Sequence, residues 1–217
     1  MADNVTELGI EELKTYFYDS FLSTESLEFE NELTGYDNMS ATNAEIHTGR
    51  SSPSWSLMYY DRQAFNPIYG EIIFKVRINS QENVLAFFGY LGDLTIISED
   101  MITSHIGIIV HDGHVFFSSA NGSYQEKVEI MGLDLTKVYE IKISELAISI
   151  KPLPQVISYL GLPEVEYAPR EWRKIGELTT YIPKDLMHYI AAYVENSTNA
   201  DKYLTFNRII YKERYAD

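Results

Sequence analysis

Polar and apolar residues alternate with a period of two along much of this chain. The clearest case is EIIFKVRI (71–78): Ile72, Phe74, Val76 and Ile78 fall on one face, while Glu71, Lys75 and Arg77 share the other with Ile73. That pattern predicts a strand with one dry and one mostly wet face. YFYDSF, SLEFENEL and SWSLMYY read the same way. NVLAFFGYLG (83–92) is apolar on both faces, which predicts a central strand. HIGIIVHDGHVFFSS (105–119) reads as a hairpin turning at Asp112-Gly113, a dipeptide that tolerates the positive φ angles of a tight turn. YQEKVEI, VYEIKI, LAISIK, HYIAAYVE (188–195) and KYLTFNRIIYKE (202–213) bring the set to about eleven short strands, with little helix. Regularly spaced short strands predict an all-β sandwich or barrel.

Two stretches break the alternation. Residues 6–16 (TELGIEELKTY) suit a short helix capped by Thr6 and weakened by Gly9. From Asp3 to Glu45 the only basic residue is Lys14, so residues 1–15 are expected to form an acidic arm ahead of a single domain over 16–217. Residues 152–176 hold Pro152, Pro154, Pro163 and Pro169 together with Trp172. They are expected to form a long loop or insertion with one helical turn.

Composition narrows the function classes. The 217 residues suit one large sandwich. A net charge of −15 lacks the basic footprint of nucleic-acid binding and disfavours an anionic membrane surface. No run approaches the ~20 apolar residues of a membrane span, so no membrane insertion is expected. The acidic start lacks the basic and apolar regions of a signal peptide. Absence of cysteine excludes disulfides and thiolate chemistry. Four N-x-S/T sequons, at Asn4, Asn38, Asn121 and Asn196, suggest an extracellular or virion-surface setting.

Four pieces in order resemble concanavalin A-like lectin/glucanase (laminin-G-like) domains. They are DSF (19–21) as an opening strand, IYGEIIFKVRI followed by VLAFFGYLG as paired strands, HIGIIVHDGHVFFSSANGS as the central hairpin, and VYEIKI, the Ile182-Pro183 pair and ENSTNADKYLTFNRIIYKERY as closing strands. The resemblance spans about residues 16–214 and implies a two-sheet antiparallel jelly roll. It also implies a structural calcium on the convex face, held here by Asp19 and Asn207. Asn207 stands where family members often carry Asp, so its amide oxygen brings no charge.

Catalytic members resembling laminarinases carry E-x-D-x-x-E after the aromatic strand, which sets two carboxylates on one face. GDLTIISEDMITSH follows here, and its neighbouring Glu99 and Asp100 would point to opposite faces of a strand. The ladder Glu28, Glu30 and Glu32 has the right periodicity but reads as the solvated face of an edge strand. His111 and His114 flank the hairpin turn, and a metal would need a third converging ligand. No nucleophile elbow and no Gly-rich phosphate loop is present.

Aromatic rings supply the remaining binding chemistry, because exposed rings stack on the C–H faces of sugars. Phe88 and Tyr90 on the central strand, Tyr189 and Tyr193 near the C-terminus and Trp172 in the insertion are the expected carbohydrate-binding residues. The leading expectation is a non-catalytic glycan-binding or adhesion module. The rivals are a structural assembly or decoration subunit, oligomeric and gripping neighbouring protein subunits, and a divergent glycoside hydrolase or polysaccharide lyase.

Overall fold

Alternation becomes layering in the computed structural model, which describes residues 14–19, 27–31, 38–40, 43–50, 53–60, 63, 65–94, 97–152, 155–157, 165–167, 171–179 and 187–213. Two antiparallel sheets face each other. The eight-stranded sheet is built from β1 (Lys14–Asp19), β3 (Asn38–Ser40), β4 (Asn43–His47), β6 (Gly70–Ile78), β11 (Tyr139–Ser144), β12 (Ala147–Pro152), β15 (Arg173–Glu177) and β17 (Tyr203–Glu213). Its order is β15-β12-β11-β6-β17-β4-β3, with β1 also paired to β17. The seven-stranded sheet takes β2 (Leu27–Asn31), β5 (Ser54–Tyr60), β7 (Val84–Leu91), β8 (His105–His111), β9 (His114–Ala120), β10 (Gln125–Glu129) and β16 (Tyr189–Asn196), in the order β10-β9-β8-β7-β16-β5-β2.

The dry faces meet between the sheets. Ile72, Phe74, Val76 and Ile78 of β6 are each at most 1 % exposed and join Phe206, Ile209 and Tyr211 of β17. Opposite them lie Phe88 and Tyr90 of β7 and Ile106 and Ile108 of β8. Phe74, Phe88 and Phe206 form a ring trio at 5.3–6.1 Å. The Ser119 hydroxyl on β9 is buried with no hydrogen-bond partner among the described residues. Ser119→Ala removes an unsatisfied donor, and urea denaturation should show it more stable by ~1 kcal/mol.

The hairpin forms as expected. His111 pairs with His114 around a two-residue turn, with φ of 43° at Asp112 and 88° at Gly113. The central-strand expectation also holds, since β7 lies in the middle of its sheet and is dry on both faces. Other expectations need correction. The 152–176 segment is not simply a loop with a helical turn: β13 (Gln155–Ile157) and β14 (Val165–Tyr167) pair as a ribbon, and β15 extends the large sheet by pairing with β12. Strand pairing also starts at Lys14, inside the last residues of the expected arm; residues 1–13 lie outside the described set.

Asn207 owes its place to a bulge. Phe206 pairs with Val76 and Arg208 with Lys75, leaving Asn207 as the extra residue. Asp19 pairs with Ile209, two residues further along. Calcium takes 6–8 oxygen ligands, so a site that includes Asp19 and Asn207 needs further oxygens. Among the described residues no group of three His, Asp or Glu converges as metal ligands, and no helix is long and apolar enough to cross a membrane.

Candidate carbohydrate-binding face

The outer face of the seven-stranded sheet is apolar almost throughout, and register explains its layout. One row runs Leu57, Tyr193, Phe87, Ile109, Phe116 across β5, β16, β7, β8 and β9. The next runs Tyr59, Ala191, Gly89, Gly107, Ser118. Small residues in this second row let rings lie flat: a Cβ on Gly107 would stand 2.5 Å from the Phe87 ring.

The connection from β7 to β8 covers one half of the face. Its Leu94, Ile97 and Met101 pack with Phe87, Leu91 and Ile109, which are fully buried. Polar ties hold this cover down. Lys127 Nζ donates to Glu99 O (3.3 Å) and Asp100 Oδ1 (2.9 Å), and His111 Nδ1 meets Glu99 Oε2 at 2.5 Å. Glu99 and Asp100 thus occupy a turn, each bound to a cation or imidazole. On this face β8 presents His105, Gly107, Ile109 and His111.

Beneath the cover sits a sealed polar pair. His105 Nδ1–H donates to Thr103 O (2.7 Å), which leaves Nε2 to accept from the Ser118 hydroxyl (2.8 Å). Gln125 Nε2 donates to the same hydroxyl at 3.1 Å. Ser104 and His188 make a second contact of 2.8 Å. His105 and Ser118 are fully buried, so this hydroxyl has no route to a substrate and the arrangement fixes the cover instead. Burial pushes the His105 pKa down to about 4; the neighbouring His188 acts in the same direction, and the Thr103 carbonyl opposes them.

The other half of the face, over β5 and β16, carries the half-buried rings Trp55, Tyr59 and Tyr189 and the buried ring of Tyr193. Trp55 stacks on Tyr193 at 6.0 Å and 27°, and Tyr59 meets Tyr189 edge-on at 5.8 Å and 82°. Tyr193 OH donates to Glu195 Oε2 at 2.7 Å. The two ring pairs flank a floor of Leu57 and Ala191. Residues 55 and 59 lie four apart on one strand, so the platform is roughly 13 Å long. Beside it β2 is the edge strand of the sheet, with Glu28 in register with Tyr59 and Glu30 with Leu57; Glu32 lies outside the described residues.

The five aromatic residues expected to meet sugar separate into three places. Tyr189 and Tyr193 belong to this platform. Phe88 and Tyr90 do not: both are fully buried between the sheets, because β7 is apolar on either side and its even-numbered residues point inward. Trp172 lies on the opposite sheet, half-buried, with Lys142 Nζ 5.0 Å from its ring centre. Trp55 and Tyr59 were not among the five, although SWSLMYY alternates and sets Trp55, Leu57 and Tyr59 on one face.

The histidines of the hairpin do not converge. His111 faces Glu99, while His114 bonds Glu129 at 2.7 Å, which holds its pKa above the usual range. Of the sequons, Asn196 is 1 % exposed, and its amide binds Ser54 N, Thr48 Oγ1 and the carbonyls of Gly49 and Ala200. That side chain cannot carry a glycan in the folded domain, which removes one of the sequence hints of a surface setting.

No protein-family model and no curated protein matches the chain. Solved structures do. The VIP36 exoplasmic/lumenal domain in its Ca²⁺/Man3GlcNAc-bound form is 9 % identical with a TM-score of 0.61, over 95 % of this chain and 92 % of that one. An endo-acting O-glycanase of the human gut microbiota, described as initiating mucin breakdown, is 10 % identical with a TM-score of 0.59, over 93 % and 100 %. The catalytic domain of an endo-1,3-β-glucanase (laminarinase) from Thermotoga petrophila RKU-1 is 12 % identical with a TM-score of 0.56, over 95 % and 100 %. At such identities the likeness concerns the fold.

Proposed function

Starting from the concanavalin A-like lectin/glucanase fold of this chain, we propose that it is a non-catalytic carbohydrate-binding module whose ligand lies on the β5–β16 platform. The observation that carries this reading is the double ring pair, Trp55 with Tyr193 and Tyr59 with Tyr189, around an apolar floor. The half-buried rings of Trp55, Tyr59 and Tyr189 offer stacking surface, and Glu195 stands beside Tyr193 to accept hydrogen bonds from hydroxyls. The length of the platform suits an oligosaccharide better than a single sugar. A catalytic reading has less support: in the β7–β8 connection, where the resemblance would set the acidic motif, Glu99 and Asp100 occupy a turn and are tied to His111 and Lys127.

Isothermal titration with mannose oligosaccharides, β-1,3-glucan fragments and mucin-type O-glycans, with and without calcium, tests the proposal. One of these sugars should bind, and Trp55→Ala should weaken it at least about tenfold through loss of a stacking surface. A requirement for calcium would point to ligands beyond Asp19 and Asn207. Heat signals that stay flat across the panel would reject the glycan reading in favour of a structural assembly subunit.

A further inference from the structure

Cations gather on the outer face of the eight-stranded sheet, although the chain carries a net charge of −15. Strand β6 contributes Lys75 and Arg77, β11 Lys142, β12 Lys151, and β17 Arg208 and Lys212. Their carboxylate partners are too few. Lys142 and Lys212 share Glu71, at 3.8 and 3.7 Å. Arg208 reaches across β6 to Glu140. Among the described residues Lys75, Arg77 and Lys151 have no carboxylate partner. On these four strands six cations thus face two carboxylates, Glu71 and Glu140, while Glu45 of β4 and Glu177 of β15 lie toward the two edges of the sheet. The buried Nε of Arg208 has no acceptor among the described residues.

Register turns this surplus into a line. Lys151, Glu140, Lys75 and Arg208 stand opposite one another across β12, β11, β6 and β17. Four neighbouring strands span roughly 14 Å. Lys142, next along β11, lies over the Trp172 ring.

We infer that this face binds an anionic polysaccharide, one bearing sulfate or carboxylate groups at intervals along the chain. A row of fixed cations matches spaced anions, and Trp172 offers the stacking surface that a sugar ring takes. A nucleic acid fits less well, because the overall negative charge repels a densely charged duplex. The site goes beyond the platform proposed above and lies on the opposite sheet, so each can be disabled without the other.

The test is calorimetric titration of the whole chain with a heparin oligosaccharide, a polygalacturonate oligomer and a DNA duplex of matched charge, at low and raised salt. At least one of the two polysaccharides should bind at low salt and weaken as salt rises. Whichever binds identifies sulfate or carboxylate as the preferred group. The double substitution Lys75→Glu with Lys151→Glu should weaken binding at least about tenfold, whereas Trp55→Ala should leave it unchanged. Arg77→Glu, at an exposed position, replaces the double variant should circular dichroism show that it fails to fold. The inference is overturned if neither polysaccharide binds at low salt, if charge reversal leaves binding intact, or if the duplex binds as tightly as the better polysaccharide.

Discussion

Deleting Ile210 should cost the domain at least ~3–5 kcal/mol, while deleting Asn207, three residues earlier, should leave it folded. The inward residues of β17 are Leu204, Phe206, Ile209 and Tyr211, so one interval is three residues rather than two. The bulge at Asn207 absorbs that interval. Without Asn207 the four side chains simply alternate, and the pairings of Phe206 with Val76 and Arg208 with Lys75 survive. Without Ile210 the strand loses its parity after Ile209, and Tyr211 rotates out of the core. Its ring then leaves Phe65 (5.0 Å) and Tyr90 (6.4 Å), and Asn66 N–H loses the Tyr211 hydroxyl it donates to at 3.1 Å. Urea midpoints of the two deletions compared with the parent chain decide the matter. Equal damage from both would mean that Asn207 is not a spare residue.

Acid should weaken the fold before most carboxylates titrate. His105 has a pKa of about 4 in the folded domain, against 6.5 for a free imidazole. Below pH 6.5 the unfolded chain takes up a proton that the folded chain refuses, so stability falls with pH. The loss ends near pH 4, where the folded imidazole also protonates. A shift from 6.5 to about 4 corresponds to about 3 kcal/mol. Denaturation at pH 7, 5.5 and 4 should show this decline, and His105→Gln should flatten its upper part. Protonation of the folded imidazole near pH 4 would remove the acceptor for the Ser118 hydroxyl, so the β7–β8 cover should loosen there. A parent chain equally stable at pH 7 and 4.5 would contradict the assignment.

Parity made the strands legible and narrowed the fold to a sandwich or barrel, and the family resemblance selected the two-sheet sandwich. β6 and the Asp112-Gly113 hairpin were legible residue by residue, since one side of β6 is polar and the turn demands residues that accept positive φ. The candidate face was only partly legible. On β7 both sides are apolar, so alternation could not say whether Phe87 or Phe88 points to the core; the cover from the β7–β8 connection is what makes both sides dry. The 152–176 strands were hidden because their three- to five-residue runs are too short for a period to register. Trp55 and Tyr59 were readable in principle, but ranking them above Phe88 needed to know which sheet face had a lid.

The doubly dry strand β7 also bears on how such a domain can change over time. Apart from Gly89, where a Cβ would stand 2.2 Å from the Ile106 carbonyl oxygen, positions on it need only be apolar and of suitable bulk. Mutational drift can therefore replace nearly every letter while preserving the alternation that builds the layers. A fold that rests on alternation rather than on particular letters can recur in chains that share about one residue in ten, as it does here.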